Sequence, residues 1–185
     1  QNISDDPHVV FKTVPVSFKL LDFAGGELEG AASYRAGIWR TFGSGQTTTN
    51  MEMLPTSYTF RVTYNGTSEQ KNQDVGVDPN VVFGTITVTY ADEGGRVLGR
   101  EPVLYNGNAV MTPGDISLPA GTRYANSPAW DASLGKNITA DKTITVPLEY
   151  QVTFDLDGGT YISGDMDQWV PYGGSAVAPV FDPPA

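Results

Sequence analysis

Hydrophobic and polar residues alternate along much of this 185-residue chain, a pattern typical of β-strands with one buried face. Residues 14–20 and 58–64 carry a hydrophobic side chain at every even position, and residues 144–156 form the longest alternation. Stripes with the helical period and clear capping boxes do not recur. The pattern therefore predicts an all-β fold.

Two Asn-Gly pairs follow hydrophobic stretches at positions that favour tight turns. Asn65-Gly66 follows residues 58–64, and Asn106-Gly107 follows residues 103–105. Both residues of such a pair accept the positive φ angles that a two-residue hairpin loop requires. We expect a hairpin turn at each pair.

The chain contains an internal repeat. Residues 6–16 recur 72 positions later as residues 78–88, and residues 88–95 recur 64 positions later as residues 152–159. Residues 16–26 are a looser version of the second pattern, in which an alternating strand leads to a double glycine. Self-similarity of this kind indicates tandem modules. The copies place module starts near positions 14, 84 and 151.

These starts divide the chain into four segments. Residues 1–13 are predicted to be the last strand of a preceding module, 14–83 and 84–150 are two β modules, and 151–185 are an incomplete third. The alternation passes residue 150 without the Gly, Ser or Pro-rich composition of a flexible linker. We expect a tandem array with near-continuous strand junctions, which would behave as a semi-rigid rod.

The charge of the chain excludes several classes of partner. The formal net charge is -10, and no cluster of Lys or Arg is present. Nucleic acids and anionic membranes are therefore poor partners, because both require concentrated positive charge. No apolar run approaches the roughly 20 residues that cross a bilayer, so we expect no membrane insertion. With no cysteine, disulfides and thiol chemistry are excluded.

Few residues have the chemistry of a catalytic or metal site. His8 is the only histidine and its repeat counterpart is Asn80, and one imidazole alone makes a poor metal site. Residues 155–159 lack the spaced third acid and terminal Glu of a calcium loop, so they predict a tight turn. We interpret Asp92 with Glu93, and Asp165 with Asp167, as solvated loop charge rather than acid/base pairs. We predict no enzyme activity, no cofactor and no metal.

Aromatic residues are the best indication of a ligand site, because their rings stack on sugar faces and Trp and Tyr also carry polar groups. Those that lie outside the clearest core faces are Tyr34, Trp39, Tyr105, Trp130, Tyr161 and Trp169. The competing interpretation is packing, since a module of this size needs large aromatic residues to fill its core. The candidate ligand-binding residues are Trp39, Tyr105, Trp130, Tyr161 and Trp169.

Residues 1–83 resemble a repeated domain of bacterial secreted proteins. The resemblance is carried by the aromatic-rich stretch 30–43, the Leu-Pro-x-x-Tyr-x-Phe hairpin at 54–66, and the Pro-x-Val-Val-Phe segment that ends at Phe83. That domain is similar to the transthyretin-like or collagen-adhesin B-type sandwich. The resemblance implies an immunoglobulin-like β-sandwich.

The later modules resemble two further families. Residues 84–150, from the strand at 88–95 to the strand at 144–150, resemble mucin-binding-type β-grasp modules. Residues 151–185 resemble the first part of a Listeria-Bacteroides repeat, the internalin B-repeat type, through residues 152–160 and 170–174. Each resemblance implies a bacterial cell-surface or secreted protein, and none implies an activity.

Sandwiches of the collagen-adhesin type can carry a Lys–Asn isopeptide crosslink. The resemblance places it at Lys19 and Asn80, with Glu52 or Glu69 as the acid. The alternation, however, puts Lys19 on the face opposite Phe18 and therefore away from the core. We expect no crosslink.

Together these features predict a non-catalytic stalk or adhesion segment of a bacterial extracellular or cell-surface protein. Its partners would be neighbouring modules of the same chain and a glycan or a surface protein of the host or its matrix. The alternative is a carbohydrate-binding or accessory region of a secreted polysaccharide-degrading enzyme, with Trp and Tyr side chains as the binding platform.

Overall fold

The structure, a computed structural model, describes residues 10–42 and 49–184. The first set of strands is β1 (Val14–Leu21), β2 (Ala31–Ala36), β3 (Ile38–Thr41), β4 (Thr49–Met53), β5 (Ser57–Tyr64), β6 (Thr67–Asp74) and β7 (Asn80–Gly84). The second set is β8 (Ile86–Ala91), β9 (Val97–Val103), β10 (Thr122–Tyr124), β11 (Lys142–Thr145), β12 (Leu148–Thr153), β13 (Thr160–Ser163), β14 (Asp167–Pro171) and β15 (Val180–Asp182). The only helical elements in the described part of the chain are short 3₁₀ turns at Pro113–Asp115 and Ala132–Gly135. The all-β prediction is confirmed.

The described residues divide into two compact units. The first comprises the residues up to Thr87 with Pro102–Ala109 and Asn137–Ala140, and the second comprises Val88–Glu101, Val110–Lys136 and the residues from Asp141 onward. Residues 151–185, predicted to begin a third module, belong to the second unit. Most of the predicted tail strand, residues 1–9, lies outside the described residues. The boundaries at 13, 83 and 150 stay predictions.

The first unit is a two-layer β-sandwich. Its sheets are ordered β4-β1-β7 and β3-β2-β5-β6, and their inward side chains form one core. Phe18 is fully buried at its centre, with ring centroids 5.7 Å from Phe42 and 5.5 Å from Phe83. The even positions of residues 14–20 and 58–64 face this core, as the alternation predicts.

Strand β1 lies in the middle of its sheet and pairs with the last strand of the unit. It runs antiparallel to β4 and parallel to β7, with register from Ser17↔Asn80 to Leu21↔Gly84. Because the two strands run in the same direction, the chain enters β1 at one end of the pair and leaves β7 at the other. Entry and exit are separated by roughly 23 Å, the length of eight extended residues.

The two residues of the possible crosslink have other partners in the structure. The Lys19 ammonium forms an ion pair with Glu27 at 2.7 Å, and the Asn80 side-chain oxygen accepts a hydrogen bond from the Ser17 hydroxyl at 2.9 Å. The register sets Lys19 opposite Val82 rather than Asn80. The expectation of no crosslink stays a prediction.

The second unit contains the sheets ordered β11-β8-β9 and β10-β12-β14, and a separate ribbon of β13 and β15. Strands β8 and β11 are parallel, with register from Val88↔Lys142 to Ala91↔Thr145. Buried side chains come from both sheets. They include Val88, Tyr90, Ile144, Leu148 and Val170.

Two copies of the strand-to-double-glycine repeat form turns with the same hydrogen bonds. After β1, Asp22 accepts a hydrogen bond from Gly25 N through its carbonyl and from Gly26 N through its carboxylate. After β8, Asp92 accepts from Gly95 N and Arg96 N in the same way. The glycine three residues after each aspartate has a φ near +84° (Gly25) or +83° (Gly95), which favours glycine. The repeat therefore encodes the turn that follows the first strand.

The two Asn-Gly pairs have different outcomes. Asn65 and Gly66 have φ angles of 44° and 75° and join β5 to β6, so this hairpin is confirmed. Asn106 also turns, with a φ of 64°, but no neighbouring strand follows it. Its hairpin prediction is wrong, because the backbone of Asn106 and Gly107 bonds instead to the distant Ile138.

The long alternation at residues 144–156 is not a single strand. It is divided into β11 and β12 by Val146 and Pro147. Proline has no N–H to continue a ladder, and the amides on either side bond elsewhere: Val146 N to Ala91 O and Leu148 N to the Glu93 carboxylate. Strand β12 nevertheless runs without a break across residue 150.

Candidate functional site

One face of the sheet β10-β12-β14 carries a half-buried tryptophan beside an arginine. Residues opposite each other in a sheet point to the same side. The register pairs Arg123 with Glu149 and Gln151 with Trp169, so all four side chains lie on one face. Arginine and tryptophan meet here although they belong to different outer strands of the sheet.

The Arg123 side chain is held in place from two sides. Its Nε and Nη2 atoms lie 2.7 Å and 2.6 Å from the same carboxylate oxygen of Glu149. Its guanidinium carbon lies 4.5 Å from the ring centroid of Trp169, which is cation–π geometry. Both contacts position the guanidinium against the indole ring.

A cleft of about 500 Å³ lies along the edge strand β14. We call it the Trp169 cleft, and its lining residues are Arg123, Gly164, Asp165, Asp167, Gln168, Trp169, Val177 and Ala178. This volume is in the range of small-molecule pockets. All of its residues belong to the second unit.

The walls of the Trp169 cleft are tied together by one side chain. The Gln168 amide nitrogen donates to Asp165 O at 2.9 Å and to Val177 O, and its oxygen accepts from Val177 N at 2.8 Å. The Tyr161 hydroxyl donates to Gly164 O at 2.6 Å and holds the same wall from outside. These bonds join two loop segments that β14 separates in sequence, so the cleft is preformed.

Two polar groups in the cleft have no hydrogen-bond partner among the residues that the structure describes. Asp167 accepts a hydrogen bond from the Thr153 hydroxyl at 2.6 Å. In contrast, the carboxylate of Asp165 and the indole N–H of Trp169 make no hydrogen bond to any residue that the structure describes. The cleft thus offers an aromatic ring, a free carboxylate and a free N–H donor.

The structure separates the candidate aromatic residues into different environments. Trp169 borders the cleft and Tyr161 supports its wall. Trp39 belongs to the first unit, where the Arg61 guanidinium carbon lies 4.2 Å from its ring centroid. Tyr105 is also in the first unit and is exposed beside the turn at Asn106.

Trp130 has a packing role within the second unit. Its ring centroid lies 4.9 Å from that of Tyr90 and 6.4 Å from that of Tyr124. It also borders an open depression of about 590 Å³ formed mainly by residues 126–132. The polar side chains that line this depression are Asn126, Ser127, Asp131 and Thr145.

Sequence reasoning missed Arg123 and Gln168. Each is a single polar residue in a short strand, without a motif around it. Only the register of β10, β12 and β14 brings Arg123 to Trp169. The sequence does give a partial indication that Gln168 belongs to the site, because it lies between Asp167 and Trp169 in a stretch of polar and aromatic residues.

The first pair of candidate carboxylates is structural, and the interpretation of Asp92 as solvated loop charge is wrong. Asp92 is only 6% exposed, because its carboxylate caps the turn after β8 and accepts a hydrogen bond from Tyr150. Glu93 accepts from Leu148 N. Asp165 and Asp167, in contrast, are exposed and border the same cleft.

A buried carboxylate network lies elsewhere in the second unit. Glu101 is 6% exposed and accepts hydrogen bonds from the Tyr90 hydroxyl at 2.7 Å, from Val110 N at 2.9 Å and from Met111 N at 3.1 Å. The network ties the loop after β9 to the core strand β8. Its groups are mutually satisfied, so it acts as a structural clamp.

This network predicts a loss of stability at high pH. Burial, and then the hydrogen bond to the Glu101 carboxylate, raise the pKa of the Tyr90 hydroxyl well above its usual value of about 10. Because the unfolded chain ionises first, the stability from Tyr90 is fully present below about pH 10 and is lost as the pH rises further. We expect the wild type to have a larger free energy of unfolding than Tyr90→Phe at pH 9, and this difference should shrink at pH 11. Urea unfolding at the two pH values measures it. An advantage that is equal at both pH values would contradict this prediction.

Of the residues considered as metal ligands in the sequence, His8 and 155–159, those that the structure describes form no metal-binding cluster. His8 lies outside the described residues. At 155–159, the Asp155 carboxylate accepts a hydrogen bond from Asp157 N, and Gly158 has a φ of 88°, so the segment forms a tight turn. Within residues 10–42 and 49–184, no group of three or more acidic or histidine side chains is placed to hold a metal ion.

Comparison of the chain with protein-family models, with curated proteins and with solved structures found no match. Across the described part of the chain, no helix has the length and hydropathy of a membrane span.

Proposed function

We propose that this chain is a non-catalytic spacer of a bacterial cell-surface or secreted protein, which transmits tension along the chain and presents a neighbouring functional domain. The observation that carries the proposal is the parallel pairing of β1 with β7, the first and last strands of the first unit. The assignment to the bacterial surface rests on the family resemblances of the modules.

The direction of pulling explains why this pairing resists force. Tension applied at the start of β1 and the end of β7 acts along the strand axis and in opposite directions on the two strands. The hydrogen bonds of the pair lie across that axis, so all of them are loaded together. Strands that are pulled apart from one shared end would lose these bonds one at a time, at a lower force.

The core adds resistance to the same movement. Phe18 in β1 and Phe83 in β7 pack ring to ring across the pair. Sliding β1 past β7 would therefore break buried contacts as well as hydrogen bonds. The Lys71 ammonium of the other sheet donates to Val82 O at 2.8 Å and further secures β7.

The second unit shares only part of this feature. Strand β8 is paired in parallel with β11 over four register positions. Strands β12 to β15 follow β11 in the same unit, so the direction of pulling supports the proposal for the first unit.

Single-molecule pulling tests the proposal in the first unit. Because the chain contains no cysteine, handles can be attached at introduced thiols. Lys12→Cys with Gly84→Cys places the handles at opposite ends of the β1/β7 pair, and Gly84 has open space for a side chain. We expect a high unfolding force in this geometry.

The matched control moves one handle only. Phe23→Cys with Gly84→Cys places both handles at the same end of the strand pair, since Leu21 is opposite Gly84. The unfolding force should fall several-fold at the same pulling speed. Equal forces in the two geometries would overturn the proposal.

A further inference from the structure

The Trp169 cleft has the features of a built binding site rather than a random surface depression. Its ring is oriented by Arg123, Arg123 is fixed by Glu149, and its walls are joined by Gln168. Preorganised side chains lose little entropy when a ligand binds. A site of this kind is not needed for transmitting tension.

The chemistry of the lining defines the ligand class. A pyranose ring has one face of C–H groups that packs on an indole, and hydroxyl groups at its edge that require donors and acceptors. Trp169 supplies the ring and an N–H donor, and the unpartnered Asp165 carboxylate supplies an acceptor for hydroxyl protons. We propose that the Trp169 cleft binds a neutral saccharide unit of a polysaccharide.

The charge of the cleft lining favours neutral saccharides over acidic ones. Asp165 and Asp167 line the cleft, and the single cation, Arg123, is already paired with Glu149. The carboxylate of a uronic acid would face two like charges without a free cation, which opposes binding. Neutral polymers should therefore bind and uronic acid polymers should not.

The wall at Gly164 fixes the shape of the cleft. Gly164 has a φ of 107°, and a Cβ atom at this position would lie 3.0 Å from Pro179 Cα. Only glycine fits this turn without displacing the backbone. The position of Asp165, the next residue, depends on this turn and on the Gln168 hydrogen bonds.

Affinity electrophoresis of the full chain tests the proposal. The probes are four neutral polysaccharides (a mixed-linkage β-glucan, xylan, galactomannan and soluble starch) and two acidic polymers (polygalacturonate and alginate). At least one neutral polymer should retard the wild type, and Trp169→Ala should weaken that binding about tenfold or more. The matched control, Trp39→Ala, removes the arginine-stacked tryptophan of the first unit and should bind as the wild type does.

A second variant keeps the test valid if Trp169→Ala fails to fold. Asp165→Asn changes an exposed side chain, so circular dichroism should show an unchanged fold while the retardation decreases. The proposal is overturned if no neutral polymer retards the wild type, if both variants bind as strongly as the wild type, or if the acidic polymers bind better. These outcomes are independent of the pulling experiment, because the cleft and the β1/β7 pair belong to different units.

Discussion

Replacement of Glu101 by alanine should destabilise the second unit by roughly 3–5 kcal/mol, because three hydrogen-bond donors lose a charged acceptor. The substitution leaves the buried Tyr90 hydroxyl and the part-buried amides of Val110 and Met111 without their acceptor. Each such group costs about 1–3 kcal/mol. Urea unfolding followed by circular dichroism measures the loss.

Two further variants distinguish the loss of the Glu101 hydrogen bonds from the effect of removing a negative charge. Glu149→Ala removes a more exposed carboxylate whose ion pair with Arg123 lies at the surface, and it should cost no more than about 1 kcal/mol. Glu101→Gln keeps the side-chain shape but exchanges one acceptor for a donor, so its cost should be intermediate. Hydrogen exchange at Val110 and Met111 should accelerate in Glu101→Ala. A loss no larger than that of Glu149→Ala would refute the role of the clamp.

The second large effect is expected in the first unit, where Phe18→Ala should cost about 3–5 kcal/mol. Phe18 is fully buried and its ring contacts Phe42 and Phe83, so its truncation opens a cavity between the sheets. Urea unfolding followed by circular dichroism measures the change. If the β1/β7 pair carries tension as proposed, the pulling force between residues 12 and 84 should also fall.

The control for Phe18 is a phenylalanine of the same segment outside the core. Phe23 is 45% exposed in the turn after β1, and Phe23→Ala should change the free energy of unfolding by about 0.5 kcal/mol or less. Comparable losses from the two variants would mean that Phe18 does not anchor the sandwich.

Much of the first unit was predictable from local pattern. Strand alternation identified the inward residues of β1 and β5 because side chains in a strand point alternately to its two faces. The Asn65-Gly66 hairpin was equally local, since its turn requires only the φ angles of two adjacent residues. The repeat located both turns after the first strands, although the shared aspartates Asp22 and Asp92 were recognisable only from their hydrogen bonds.

Where the sequence predictions failed, a distant partner decided the outcome. Asn106 turns as expected, but its backbone bonds to Ile138 rather than to a neighbouring strand. Asp92 looks like a loop charge in the sequence and is buried because Tyr150 and the turn after β8 surround it. The bond between Asn106 and Ile138 and the bond from Tyr150 to Asp92 join residues far apart in the chain, so neither follows from the local sequence.

The sequence by itself determined the all-β class, the inward faces of the strands and the entry turns, because these depend on neighbours within a few positions. Only the tertiary structure decided that β1 pairs in parallel with β7, that Arg123 lies against Trp169, and that Gln168 joins the walls of the cleft. Parallel pairing and cross-sheet contacts join residues far apart in the chain, and their register is set by the packing of the whole unit. The proposed tension-bearing role and the proposed saccharide site both rest on such contacts between distant residues.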